Sequence, residues 1–83
     1  MNSAEKLLVK MQASKRAGWG YADLKDLYVG FGFEMERGSK HTMFIHPTYP
    51  QLRATVARHR TLAVGYVQHA VKMIEQLKRL EVG

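Results

Sequence analysis

The residues best suited to chemistry in this chain are Gly38-Ser39-Lys40-His41. A turn at the glycine and serine would present His41 at the start of a strand, in a stretch that carries positive charge. The unperturbed pKa of an imidazole, about 6.5, lies near neutral pH, so histidine suits proton transfer. A catalyst acting on a phosphate backbone needs such a group within a positive field. A plain RNA-binding surface could carry the same residues.

Positive charge is concentrated in the middle of the chain. The formal net charge is +6, and no Asp or Glu occurs from Arg37 through Ile74. That stretch holds six of the cationic side chains and all 4 histidines: Arg37, Lys40, His41, His46, Arg53, Arg58, His59, Arg60, His69 and Lys72. The regional asymmetry favours an anionic partner over a basic composition that serves solubility alone.

The composition predicts a single domain over residues 1–83 and argues against several kinds of site. Without cysteine, the chain can form neither a disulfide nor a cysteine-based zinc site. No metal or cofactor is expected, because there is no HExxH motif and the scattered histidines lack nearby carboxylates. No apolar run approaches the roughly 20 residues of a membrane helix, and no signal peptide is recognisable. These features indicate a soluble, cytoplasmic protein.

Two helices are predicted before the glycine-serine turn. Residues 3–13 carry an apolar stripe, and Ser3 is the expected N-terminal cap. After a linker over residues 14–20, apolar residues at helical spacing predict a second helix over 21–31. Gly32 suits the left-handed conformation that often ends a helix.

Three strands and a final helix are predicted after Gly32. The strands cover residues 33–37, 40–46 and 52–58, and the helix covers 66–80. In the turn between the first two strands, Gly38 is expected to supply a backbone angle that other residues resist. The order α-α-β-β-β-α predicts an α+β fold, in which a three-stranded antiparallel sheet packs against helices on one face. The other face would remain open to solvent or to a partner.

In the order of its motifs, the chain resembles the HicA family of toxin–antitoxin systems. The likeness covers a core over residues 21–80, and residues 1–20 make it similar to a longer variant with an extra N-terminal helix and linker. The matching segments are Phe31-Gly32-Phe33, Gly38-Ser39-Lys40-His41, Thr42-Met43-Phe44-Ile45-His46-Pro47 and Gly65-Tyr66-Val67-Gln68. The resemblance implies a fold like that of double-stranded-RNA-binding domains and a ribonuclease toxin that cleaves messenger RNA. It also implies neutralisation by a HicB-type antitoxin, through which alone the toxin would form an oligomer.

The resemblance assigns the catalytic role to His41, because the family's histidine follows the glycine-serine pair directly or one residue later. Cleavage of RNA without a metal needs a second proton-transfer group. His59 is the preferred helper, ahead of His46 and water, although both histidines are otherwise expected on the solvated surface. The candidates for RNA binding flank the turn and the third strand: Arg37, Gly38, Ser39, Lys40, Arg58 and Arg60.

Three functions therefore compete. The first is a metal-independent endoribonuclease toxin that inhibits translation. The second is a non-catalytic RNA-binding module or an inactive relative of HicA. The third is an interaction protein whose basic surface meets an acidic partner. The first and third are compatible, since an antitoxin could place acidic residues opposite Arg37, Lys40 and Arg58.

Overall fold

The computed structural model describes residues 2–82. Within them the elements are α1 (Ser3–Ala13), α2 (Tyr21–Gly30), β1 (Glu34–Arg37), β2 (His41–Ile45), β3 (Arg53–Ala57) and α3 (Val64–Val82). The strands form one antiparallel sheet in the order β1-β2-β3. The predicted α+β class and the order α-α-β-β-β-α are confirmed.

The three helices pack together against one face of the sheet. α2 contacts β1, α3 contacts β3, and α1 packs against α2 and α3. Side chains alternate across β2, so that Thr42 and Phe44 are fully buried while His41 on the opposite face is exposed. The predicted apolar face of β3 is also confirmed, because Ala54 and Val56 are buried. One sheet face therefore covers the core, and the other remains open.

Both ends of α2 are defined by its sequence. At the N-terminus, Asp23 Oδ2 accepts a hydrogen bond of 2.9 Å from the Gly20 backbone N–H. At the C-terminus, Gly32 has φ +93°, the left-handed conformation predicted for it. Phe33 N donates to the Tyr28 carbonyl at 3.0 Å, and the two rings lie 5.0 Å apart. This hydrogen bond and apolar contact turn the chain directly from α2 into β1.

Two local predictions are wrong. The N-terminal cap of α1 is Asn2, whose Oδ1 accepts a hydrogen bond of 2.8 Å from Glu5 N, and Ser3 is the first helical residue. Among the described residues, only Gly18 and Gly32 are glycines with positive φ, so Gly38 supplies no left-handed angle. A Cβ at Gly38 would instead lie 3.2 Å from the His41 carbonyl oxygen, so the turn requires space rather than an unusual φ.

The helix and strand boundaries differ from the predicted ones by one or two residues. α2 ends at Gly30, the strands begin one residue later than expected, and α3 runs from Val64 to Val82. Such shifts are small because the terminal residues of an element form only part of its hydrogen bonds.

An aromatic cluster joins α2 to the sheet. Tyr28 stacks on Phe44 with ring centroids 4.9 Å apart, and Phe33 lies edge-on to Tyr28. The Tyr28 side chain is fully buried, yet its hydroxyl has no hydrogen-bond partner within residues 2–82. Burial raises the pKa of Tyr28 well above its usual value, because the ionised form is poorly solvated there.

Candidate functional site

His41 is the first residue of β2 and follows the tight β1–β2 turn. Its carbonyl oxygen accepts a hydrogen bond of 2.8 Å from Gly38 N, which closes the turn. The register places His41 opposite Ala57 of β3. The His41 side chain is exposed on the open face of the sheet, so a large substrate can reach the imidazole.

Arg58 stabilises the same turn from the end of β3. Its Nη1 atom donates to the His41 carbonyl oxygen at 2.9 Å, and its Nη2 atom donates to the Ser39 carbonyl oxygen. The Arg58 backbone N–H also donates to the Lys40 carbonyl oxygen at 3.4 Å. Arg58, predicted as an RNA-binding residue, therefore has a positioning role that the sequence did not indicate. Whether it also contacts phosphate remains a prediction.

Thr42 links this turn to α2. Its side chain is fully buried, and Thr42 Oγ1 lies 2.9 Å from the Tyr21 hydroxyl and 3.3 Å from Arg58 Nη1. Tyr21 is the first residue of α2, and its backbone N–H donates to the His59 carbonyl oxygen at 2.9 Å. The start of α2, the start of β2 and the segment after β3 are thus held together at one end of the sheet.

This end of the molecule, which we call the basic end, gathers cationic side chains from three segments. The α1–α2 linker lies against the β3–α3 loop, because Leu62 N donates to the Trp19 carbonyl oxygen at 2.8 Å. A groove of about 230 Å³ between these segments is lined in part by Lys15 and Arg16. The cationic residues of the basic end are Lys15, Arg16, Arg37, Lys40, Arg58 and Arg60. Sequence reasoning missed Lys15 and Arg16, although two adjacent cations in a glycine-containing linker were the available signal.

The two candidate helper histidines lie in different environments. His59 is exposed and belongs to the segment directly after β3, two residues beyond the partner of His41. His46 is 6% exposed, so the expectation of a solvated His46 is wrong. Its ring lies edge-on to Phe33, and its Nδ1 accepts hydrogen bonds from Thr48 N at 3.2 Å and Tyr49 N at 3.3 Å. His46 therefore stabilises the turn after β2 and belongs to the core face.

A carboxylate that the sequence analysis did not consider shares the open face with His41. Glu36 of β1 is paired with Met43 of β2, two residues from His41 on the same face. Glu36 and His41 are therefore diagonal neighbours, and such pairs in antiparallel sheets are separated by roughly 7–8 Å. The strand register alone brings these two residues together. That register depends on the exact length of the β1–β2 turn, which local sequence patterns do not determine.

The ionisable residues do not form a compact metal-binding cluster in the described part of the chain. Across residues 2–82, no three His, Cys, Asp or Glu side chains are arranged to hold a metal ion. None of the helices in this range is both long and apolar enough to cross a membrane.

Comparisons with known proteins add no relative. No protein-family model matches the chain, and no curated protein or solved structure matches it with significance.

Proposed function

We propose that this protein is a metal-independent endoribonuclease and the toxin of a toxin–antitoxin pair of the HicA type, with His41 as its central proton-transfer group. The observation that carries the proposal is the exposed imidazole on a tightly held backbone. Gly38 N and Arg58 Nη1 both donate to the His41 carbonyl oxygen, at 2.8 and 2.9 Å. A fixed main chain limits the positions that the imidazole can take relative to a bound phosphodiester.

The reaction requires two proton-transfer groups and nearby positive charge. A base takes the proton of the ribose 2′-hydroxyl, an acid protonates the leaving 5′-oxygen, and cations stabilise the charge that develops on the phosphate. His41 is the first proton-transfer group. Glu36 is its diagonal neighbour in the sheet, and His59 lies two residues beyond its cross-strand partner Ala57, so these two are the candidates for the second. Arg37, Lys40 and Arg60 are exposed cations for the phosphate. Arg58 acts by holding the turn.

One observation favours the non-catalytic RNA-binding module as the second candidate. The described residues provide no side chain that hydrogen-bonds to the His41 imidazole. A catalytic histidine is usually oriented by such a partner, whereas an RNA-binding histidine needs none. In the nuclease, the substrate itself would orient the ring.

The proposed partner in the cell is a HicB-type antitoxin that covers the basic end with acidic residues. Complementary charge would speed association and exclude RNA at the same time. Reversing the charge of Arg37 and Lys40, both exposed, should weaken that complex without disturbing the core.

The test compares wild type, His41→Ala and the matched control His69→Ala, which removes an exposed histidine on α3. Each purified protein is incubated with messenger RNA in the presence of a metal chelator, and RNA affinity is measured separately. We expect His41→Ala to lose cleavage by a factor on the order of 10²–10⁴ and to keep its RNA affinity. The control should cleave like wild type.

Each alternative gives a different result. RNA binding by wild type without cleavage at any pH would favour the binding module. Full cleavage by His41→Ala would show that another group is the catalyst, and His59→Ala and Glu36→Gln would then identify it. Binding of an acidic antitoxin without measurable RNA affinity would favour the interaction protein.

A further inference from the structure

A groove runs along the outer edge of β3, beside the start of α3. Its first part, of about 450 Å³, is lined by Arg53 and Thr55 of β3 and by Gly65, Tyr66 and His69 at the start of α3. A separate depression of about 330 Å³ lies between residues 51–52, just before β3, and the later turns of α3. We call these two depressions the edge groove. It lies between an outer strand and a helix, which is a geometry that accepts an extended peptide.

The outer edge of β3 offers free backbone groups to such a peptide. Arg58 N donates to Lys40 O, and His46 N donates to Leu52 O, one residue beyond each end of the β2–β3 ladder. By the same register, the even-numbered β3 residues Ala54 and Val56 form the hydrogen-bonded pairs with β2. Bonded and non-bonded pairs alternate in an antiparallel ladder. The N–H and C=O groups of Arg53 and Thr55 therefore point away from β2. They make no hydrogen bond within residues 2–82, and both residues are exposed.

The two edges of the sheet differ in their protection. On β1, the exposed side chains include Glu34, Glu36 and Arg37, and charged side chains along a short edge discourage pairing. On β3, Arg53 is the one charged side chain of the strand, Ala54 and Thr55 are small, and a Cβ added at Gly65, the second residue of α3, would meet nothing within 4 Å. The β3 edge is thus the one with room for an added strand.

The charge of the edge groove selects its partner. The basic side chains that line its two parts are Arg53, His69 and Arg79. No acidic side chain lines either part. We infer that the edge groove binds an acidic, extended segment of a partner protein, which adds a fourth antiparallel or parallel strand beside β3. A nucleic acid would match the charge but has no alternating N–H and C=O groups to pair with Arg53 and Thr55.

The inference is independent of the nuclease proposal, because it uses neither His41 nor the basic end. The test titrates labelled protein with a blocked hexapeptide of alternating glutamate and valine and follows backbone amide exchange by NMR. We expect slower exchange at the Arg53 and Thr55 amides. A peptide N-methylated at alternate positions, which loses the donors of one edge, should bind more weakly.

Two protein variants test the geometry against a matched control. Thr55→Pro removes an outward N–H while leaving the β2–β3 hydrogen bonds, and Gly65→Leu fills the groove from the helix side. Each should weaken peptide binding by about tenfold or more, equivalent to at least 1.4 kcal/mol. Met35→Pro, which removes an outward N–H on the opposite edge, should bind like wild type. Gly65→Leu keeps the test valid if Thr55→Pro fails to fold.

Three results would overturn the inference. One is an absence of exchange protection at Arg53 and Thr55 at about 1 mM peptide, the weak end of measurable affinity. Another is equal peptide affinity for wild type and Gly65→Leu. The third is protection of these amides by single-stranded RNA rather than by peptide, which would assign the edge groove to nucleic acid.

Discussion

The guanidinium of Arg58 holds the main chain of His41, with Arg58 Nη1 2.9 Å from the His41 carbonyl oxygen. The two residues are 17 positions apart in sequence, and the strand register brings them to the same end of the sheet. Because Arg58 also donates to the Ser39 carbonyl oxygen, one side chain fixes both sides of Lys40.

Replacing Arg58 should loosen the turn that carries His41. We expect Arg58→Ala to lower the free energy of unfolding by about 1–3 kcal/mol, because two carbonyl oxygens and the Thr42 hydroxyl lose a donor. Arg58→Lys should recover only part of this, since an ammonium lacks the planar fork that reaches two acceptors. Urea unfolding measures the loss, and amide exchange at His41 should accelerate in both variants. Equal stability of all three proteins would argue against the positioning role.

Removing the buried hydroxyl of Tyr28 should cost no stability. The hydroxyl has no partner within residues 2–82, while the ring keeps its contacts with Phe33 and Phe44 in Tyr28→Phe. We expect the free energy of unfolding to stay equal or to rise by up to about 1 kcal/mol, because an unsatisfied polar group no longer has to be buried. A lower free energy of unfolding for Tyr28→Phe than for wild type in chemical denaturation would reveal a hydrogen bond from the hydroxyl to a water molecule.

The same residue should make the protein sensitive to alkali. Burial raises the pKa of Tyr28, whereas the unfolded chain has a tyrosine pKa of about 10. Above about pH 10 the unfolded state loses this proton while the native state keeps it, so stability falls as pH rises. Unfolding measured at pH 8 and about pH 11 should show a smaller fall for Tyr28→Phe than for wild type.

His46 should prove important for stability and not for chemistry. His46→Ala removes the acceptor for Thr48 N and Tyr49 N and leaves a cavity beside Phe33, so we expect a loss of about 2–3 kcal/mol. His46→Asn should recover part of this, because an asparagine oxygen can accept the Thr48 N–H in a similar turn. Under the proposed ribonuclease function, the folded fraction of either variant should cleave RNA at the wild-type rate. Loss of cleavage without loss of stability would contradict this assignment.

Two glycine substitutions should have opposite effects. A Cβ at Gly20 would overlap the Arg60 carbonyl oxygen, so Gly20→Ala must displace the β3–α3 loop and should cost more than about 2 kcal/mol. A Cβ at Gly65 meets nothing within 4 Å, so Gly65→Ala in the first turn of α3 should stabilise by about 0.4–1 kcal/mol. Thermal unfolding of both variants measures the contrast, and a stable Gly20→Ala would contradict the close approach.

The linker cations should contribute to RNA affinity. If Lys15 and Arg16 each neutralise one phosphate of a single strand, the double alanine variant should reduce the salt slope of log K by about 1.4. The exposed Lys6 on α1 lies outside the basic end, so Lys6→Ala is the control and should leave the slope unchanged. Binding measured at several salt concentrations gives both slopes. An unchanged slope in the double variant would show that Lys15 and Arg16 do not contact RNA phosphates.

Local sequence signals predicted the elements that local interactions define. Gly32 followed by Phe33 ends α2 as expected, because the glycine and the apolar contact with Tyr28 lie within a few residues of each other. The prediction of Ser3 as the N-terminal cap of α1 was wrong because Asn2 and Ser3 are both good capping residues, and the geometry of the first turn decides between them.

Long-range contacts of the site were beyond the reach of local patterns. The hydrogen bonds from Arg58 to the turn and the shared face of Glu36 and His41 both depend on strand register. The burial of His46 depends on the path of the chain after β2, which brings its ring against Phe33. The sequence therefore predicted His41 as a candidate and its basic surroundings, but not the residues that fix its position.

The contacts of α1 also bring residue 2 close to residue 82. Glu5 is paired with Lys78 at 2.8 Å, and Asn2 and Val82 line one depression together with Gly30. This is the end of α2 opposite Gly20 and the basic end. A short linker from residue 2 to residue 82 would therefore close this segment into a circle. New termini could then be opened inside the β1–β2 turn. Such a protein would show whether the hydrogen bonds from Arg58 hold the two sides of the turn in place when the backbone between them is cut.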